Sequence, residues 1–90
     1  MATILIVDDH PTNRDFLVTL LGKGGHRLLQ ASDGAQALAA VKVESPDLVL
    51  IDILMPTMDG ATFVRLLRTD PSIAHTRVIF CTAHYHEPEA

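Results

Sequence analysis

Ninety residues, 48% hydrophobic and 20% charged, make one folded unit with a real core, and disorder is not expected. A net charge of −4 without any Lys/Arg cluster argues against nucleic-acid binding, because neutralising phosphates takes a basic face. No apolar run approaches the ~18 residues of a membrane span, no leader pattern opens the chain, and the lone cysteine, Cys81, leaves no internal disulfide. A cytoplasmic protein with no membrane role is therefore expected.

Thr3–Val7, TILIV, is a β-branched apolar run that stops at Asp8-Asp9. His10-Pro11-Thr12-Asn13 supplies turn and cap chemistry, with Pro11 acceptable in a first helical turn. Phe16, Leu17, Leu20 and Leu21 recur at helical spacing and predict a helix from Pro11 to about Leu21 with one buried stripe. Gly22, Gly24 and Gly25 end it. With Lys23 they resemble a phosphate-binding glycine loop, but such loops follow a strand and open a helix, whereas these close one.

Arg27–Ala31, RLLQA, is a more polar strand suited to a sheet edge. Ser32-Asp33-Gly34 turns the chain into a second helix marked by Ala35, Ala37, Leu38 and Val41, which Ser45-Pro46-Asp47 breaks. Leu48–Asp52, LVLID, is apolar on both faces, as a central parallel strand requires, and ends in a single carboxylate. Pro56 and Asp59-Gly60 follow, with Asp59 as turn or cap. Phe63, Val64, Leu66 and Leu67 then mark a third helix with Arg65 and Arg68 outward, ended by Asp70-Pro71. Arg77–Cys81, RVIFC, is a fourth strand in which Cys81 reads as a buried thiol. Beyond Thr82-Ala83 comes a polar tail, His84 to Glu89.

Strict β-α alternation calls for a parallel sheet with right-handed crossovers. All carboxyl ends of such a sheet lie on one rim. Asp8 and Asp9, Asp52 and Thr82 share that rim, and if the first and third strands are neighbours three carboxylates meet there. At an effective dielectric of ~20, two unit charges 4 Å apart repel by about 4 kcal/mol. Either protons or a cation must relieve this, and three hard oxygen donors point to Mg²⁺. A carboxylate beside such an ion is a candidate nucleophile towards phosphorus, and Thr82 a candidate donor to a phosphoryl oxygen. Taken singly, Asp9 could equally cap the first helix and Thr82 be a plain strand-end hydroxyl.

The chain resembles the receiver domain of two-component response regulators. Ile4-Leu5-Ile6-Val7-Asp8-Asp9, Leu48-Val49-Leu50-Ile51-Asp52, Met55-Pro56-Thr57-Met58-Asp59-Gly60 and Val78-Ile79-Phe80-Cys81-Thr82-Ala83 carry the resemblance, and Ser32-Asp33-Gly34 fits the turn before the second helix. The resemblance covers the whole chain, residues 1–90, as one receiver domain. It implies a flavodoxin-like, doubly wound α/β fold. It implies Asp52 as phosphoacceptor from a phosphohistidine on a sensor kinase or phosphotransfer protein, rather than an enzyme with turnover. It further implies Mg²⁺ held by Asp8, Asp9, Asp52 and the main-chain carbonyl of Leu54, and Thr82 as the switch hydroxyl.

One departure limits that reading. The family continues through a fifth strand followed by an essential lysine, and Lys23 and Lys42 fall in the wrong places to replace it. The expectation is a receiver truncated after its fourth strand, in order 2-1-3-4, with impaired phosphotransfer. An uncovered fourth strand is then expected to favour a dimer or swapped oligomer. Two other functions compete: an interaction module with a vestigial acidic pocket, and a carboxylate-based phosphohydrolase, which lacks the Asp-x-Asp pattern because Ile53-Leu54 follow Asp52. His75, His84 and His86 read as solvated. His10 reads as a modifier of pocket charge or a plain turn residue, and His84 as a candidate neighbour of the site.

Overall fold

Two apolar runs set the architecture. A computed structural model describes residues 1–52 and 60–81, in the order β1 (Thr3–Val7), α1 (Pro11–Gly22), β2 (Arg27–Ala31), α2 (Gly34–Glu44), β3 (Leu48–Asp52), α3 (Gly60–Thr69) and β4 (Arg77–Cys81). The strands form one parallel sheet in the order β2-β1-β3-β4. The expected flavodoxin-like order is thus observed, with the two most apolar runs, β1 and β3, side by side at the centre. The more polar β2 lies at one edge, and among the described residues β4 forms the other.

Side chains alternate across a strand, and here both faces of the central pair are covered. Leu5, Val7, Val49 and Ile51 point into the main core with Ala31, Ala37, Val41, Phe63, Leu67 and Ile73, beneath α2 and α3. Ile4 and Ile6, of opposite parity, are buried on the other face, where α1 packs against β1 and β2. Phe63 and Leu67, one helical turn apart, are the apolar face of α3. Arg65 and Arg68 are exposed as expected, and the Arg68 guanidinium donates to the carbonyls of Ala74 and Thr76. That contact closes the loop that carries Ile73, a core residue with no helical or strand pattern to announce it.

Caps explain where the helices begin and end. Asp33 Oδ1 accepts from the Gln36 amide at 2.8 Å, while Gln36 Oε1 accepts from the Ser32 amide at 3.1 Å, a reciprocal cap that starts α2. Ser45 closes α2 in a left-handed conformation, φ 47°, and its N–H donates to the Val41 carbonyl. After α1 the chain turns through Gly25 at φ 76°, which a side chain would strain.

Three burial expectations fail. Phe16 and Leu20 are not a buried stripe of α1: they are 64% and 53% exposed. The partly buried residues of α1 are Asn13, Arg14, Leu17, Val18 and Leu21. On that face the Arg14 guanidinium donates to the Asp8 carbonyl at 2.7 Å and to Gln30 Oε1 at 3.3 Å. Ala35 is exposed, α2 burying Gly34, Ala37 and Val41 instead. Cys81 is only half-buried, and its neighbours Ile79 and Phe80 are about half exposed, on a strand that forms the sheet edge among the described residues.

Candidate functional site

The register of β1 and β3 builds the site. Paired residues run from Ile4 with Leu48 to Val7 with Ile51. One step further places Asp8 beside Asp52, and both keep the parity of Ile4, Ile6 and Leu50, so they leave the sheet on the α1 face. Asp8 is 1% exposed and Asp52 fully buried. The Asp8 amide stays in the sheet by donating to the Ala31 carbonyl at 3.1 Å. Asp9 lies in the turn that follows, partly buried, and His10 stands at the N-cap of α1.

Each of Asp8, Asp9, His10 and Asp52 offers a donor atom, and these atoms lie within 4.8 Å of one another. Asp8 Oδ1 accepts from the His10 amide at 2.9 Å. His10 Nδ1 is 3.4 Å from that oxygen and 3.0 Å from Asp9 Oδ1, at ion-pair distance but without the alignment of a hydrogen bond to Asp9. Asp8 Oδ2 and Asp9 Oδ1 are buried and accept no hydrogen bond among the described residues. A native fold rarely leaves buried oxygens so, and a bound ion or an ordered water would satisfy them. Three converging carboxylates, with such oxygens on Asp8 and Asp9, fit a divalent cation, and an all-oxygen set of this kind fits Mg²⁺.

Cys81 senses the same charges from the neighbouring strand, where it pairs with Asp52. Partial burial pushes its thiol above the ordinary range, and the Asp52 and Asp8 carboxylates push it further.

Of the residues picked out from sequence, Asp8, Asp9 and Asp52 therefore come together. Leu54, Asp59, Thr82 and His84 lie outside the described residues. His75 is exposed and well away from the rim, in the loop before β4. His10, read from its adjacency to Asp8-Asp9 as a modifier of pocket charge or a turn residue, stands within the cluster.

The chain matches the response regulator receiver domain family over residues 4–90. The chain belongs to that family. It is 40% identical to protein PilH of Pseudomonas aeruginosa over 89 residues, covering 99% of this chain and 74% of that protein. The crystal structure of the N-terminal domain of a response regulator receiver protein from Methanoculleus marisnigri superposes with a TM-score of 0.89 at 41% identity, over 98% of this chain and 72% of that one. A third relative is the receiver domain of a sensor histidine kinase from Pseudomonas aeruginosa, whose structure has a magnesium ion coordinated in its active-site cleft. It superposes with a TM-score of 0.82 at 28% identity, over 88% of this chain and 65% of that one. The flavodoxin-like fold of this receiver domain and its two-component signalling family are thereby shown. Among its described residues no helix is long and apolar enough to cross a membrane.

Proposed function

We propose that this receiver domain accepts a phosphoryl group on Asp52 from a phosphohistidine of a sensor kinase or phosphotransfer protein. The observation that supports the reading most is the position of Asp52. It is fully buried at the end of a central strand, one register step from an Asp8 whose Oδ2 has no hydrogen-bond partner among the described residues.

In the step itself, a carboxylate oxygen of Asp52 bonds to phosphorus as the phosphorus–nitrogen bond of the donor breaks. The electron pair of that bond stays on the imidazole nitrogen, which takes up a proton. Asp8, Asp9 and Asp52 would hold Mg²⁺, with the Leu54 carbonyl as a further ligand. When bound, the ion offsets charge on the phosphoryl oxygens and aligns them for in-line transfer. Asp8 and Asp9 would fix the ion's place beside the fully buried Asp52 carboxylate. The Thr82 hydroxyl is the proposed donor to the transferred group.

Neither lysine of these ninety residues serves the rim: Lys42 pairs with Asp70 at 3.6 Å, and Lys23 caps the far end of α1. Phosphorylation of residues 1–90 is therefore expected to be slow. Incubation with acetyl phosphate and Mg²⁺, followed by mass spectrometry, tests the assignment. An added phosphoryl group that disappears in Asp52→Asn and without Mg²⁺ is the expected result. Undiminished labelling of Asp52→Asn would refute it.

A further inference from the structure

We propose that His10 is a metal ligand of this pocket, so that the site prefers a first-row transition ion such as Mn²⁺ or Co²⁺ more strongly than its carboxylates alone would. This rests on the reading of the acidic cluster as a cation site and adds a nitrogen donor to it.

Three observations converge on the imidazole. His10 Nδ1 lies 3.0 Å from Asp9 Oδ1 and 3.4 Å from Asp8 Oδ1, and all four donor groups fit within 4.8 Å. Two ligands at ~2.1 Å from an octahedral ion and at right angles to each other are about 3.0 Å apart. The spacing of the imidazole and Asp9 is thus that of adjacent ligands on one ion. The second observation is that His10 occupies the N-cap of α1 without using its side chain as a cap. Its amide, bonded to Asp8 Oδ1 at 2.9 Å, instead fixes the backbone so that the ring leans over the carboxylates. The third is the pair of buried oxygens, Asp8 Oδ2 and Asp9 Oδ1, that accept no hydrogen bond among the described residues. These already point to a cation, and His10 stands within the same ligand sphere.

The chemistry then favours a particular class of ion. Mg²⁺ takes oxygen donors and gains little from imidazole, whereas affinity for a site with nitrogen rises along the series from Mn²⁺ to Cu²⁺. Carboxylates alone also favour transition ions somewhat, so the diagnostic quantity is the change in preference on losing His10, not the preference itself. His10 is half exposed, so its removal leaves the core intact.

The test uses the metal-free chain and two readouts. Calorimetric titration with Mg²⁺ and Co²⁺ gives the ratio of their affinities, in the parent and in His10→Ala. The expected result is a ratio lowered at least 10-fold in His10→Ala, with Mg²⁺ affinity changed less than 3-fold. Electron spin echo spectroscopy of bound Mn²⁺ is expected to show imidazole nitrogen coupling in the parent and none in His10→Ala. An unchanged ratio together with no nitrogen coupling in the parent overturns the proposal while leaving the carboxylate site standing. If neither Mg²⁺ nor Co²⁺ binds the parent chain, the cation site itself fails and the proposal falls with it.

Discussion

The two ends of the sheet handle acidic residues in opposite ways. At the amino end each of three acids has a partner. Asp47 Oδ2 accepts from the Thr3 amide at 2.8 Å, Glu44 pairs with Arg27 at 2.7 Å, and Asp70 accepts from Ser72 and faces Lys42. The Ser72 hydrogen bonds, with some help from Lys42, lower the pKa of Asp70. At the carboxyl end, Asp8, Asp9 and Asp52 face one another with one imidazole among them, and buried oxygens of Asp8 and Asp9 accept nothing among the described residues. The same residue type therefore supports the fold at one end and opposes it at the other. Like charges gathered at one buried rim mark a candidate site for chemistry, at a cost in stability.

The largest test of that contrast reverses sign with metal. Without divalent cation, Asp8→Asn relieves like-charge repulsion beside Asp52 and is expected to stabilise the fold by on the order of 1–2 kcal/mol. With Mg²⁺ at ~100 times its dissociation constant the parent gains about 2.7 kcal/mol that the variant largely lacks, and the order inverts. Urea denaturation with and without Mg²⁺ measures both. A variant less stable than the parent under metal-free conditions would mean that the rim carboxylates are compensated after all.

The opposite behaviour is expected at the amino end. Asp47→Ala removes the acceptor for the Thr3 amide at the start of β1 and should cost about 0.5–1.5 kcal/mol, independent of metal. A Mg²⁺-dependent loss in this variant would break the distinction between the two ends.

The sequence made the centre of this picture legible and its periphery less so. TILIV and LVLID are apolar on both faces, a pattern that suits a central parallel strand, and both stop at carboxylates, so the rim follows once the strands are adjacent. Periodicity announced α1 but not its rotation. Phe16 and Leu20 obey helical spacing, yet the face beside the sheet is the one carrying Arg14 and Leu17, with the Arg14 guanidinium bound to the Asp8 carbonyl. β4 has the composition of a core strand, but burial depends on what covers it, and composition carries no information about covering. Cys81, expected to be buried, is half-buried for that reason. Adjacency sets His10 beside the pocket but does not fix its distances there, because a cap residue's side-chain direction depends on backbone angles, here φ −99° and ψ 113°, that a turn motif does not specify.

The smallest effect is expected at Cys81, which reports on the rim without belonging to it. Its thiol is held above the ordinary pKa first by partial burial, then by Asp52 and Asp8. Burial is a property of β4 and stays when the rim changes, whereas the two carboxylate contributions vanish when a cation or an asparagine neutralises them. The pH profile of alkylation by iodoacetamide should therefore move to lower pH in saturating Mg²⁺ or in Asp52→Asn, while remaining above that of the unfolded chain. The sign for stability follows: the unfolded thiol ionises at lower pH than the folded one. Stability from the neutral thiol is thus complete below the unfolded pKa and is lost as pH rises towards the folded value. Neutralising the rim narrows that window from its upper end, so the alkaline loss of stability should shrink in Asp52→Asn. A profile that ignores both Mg²⁺ and Asp52→Asn would show that burial alone sets the thiol, and that the carboxylate field does not reach from β3 to β4.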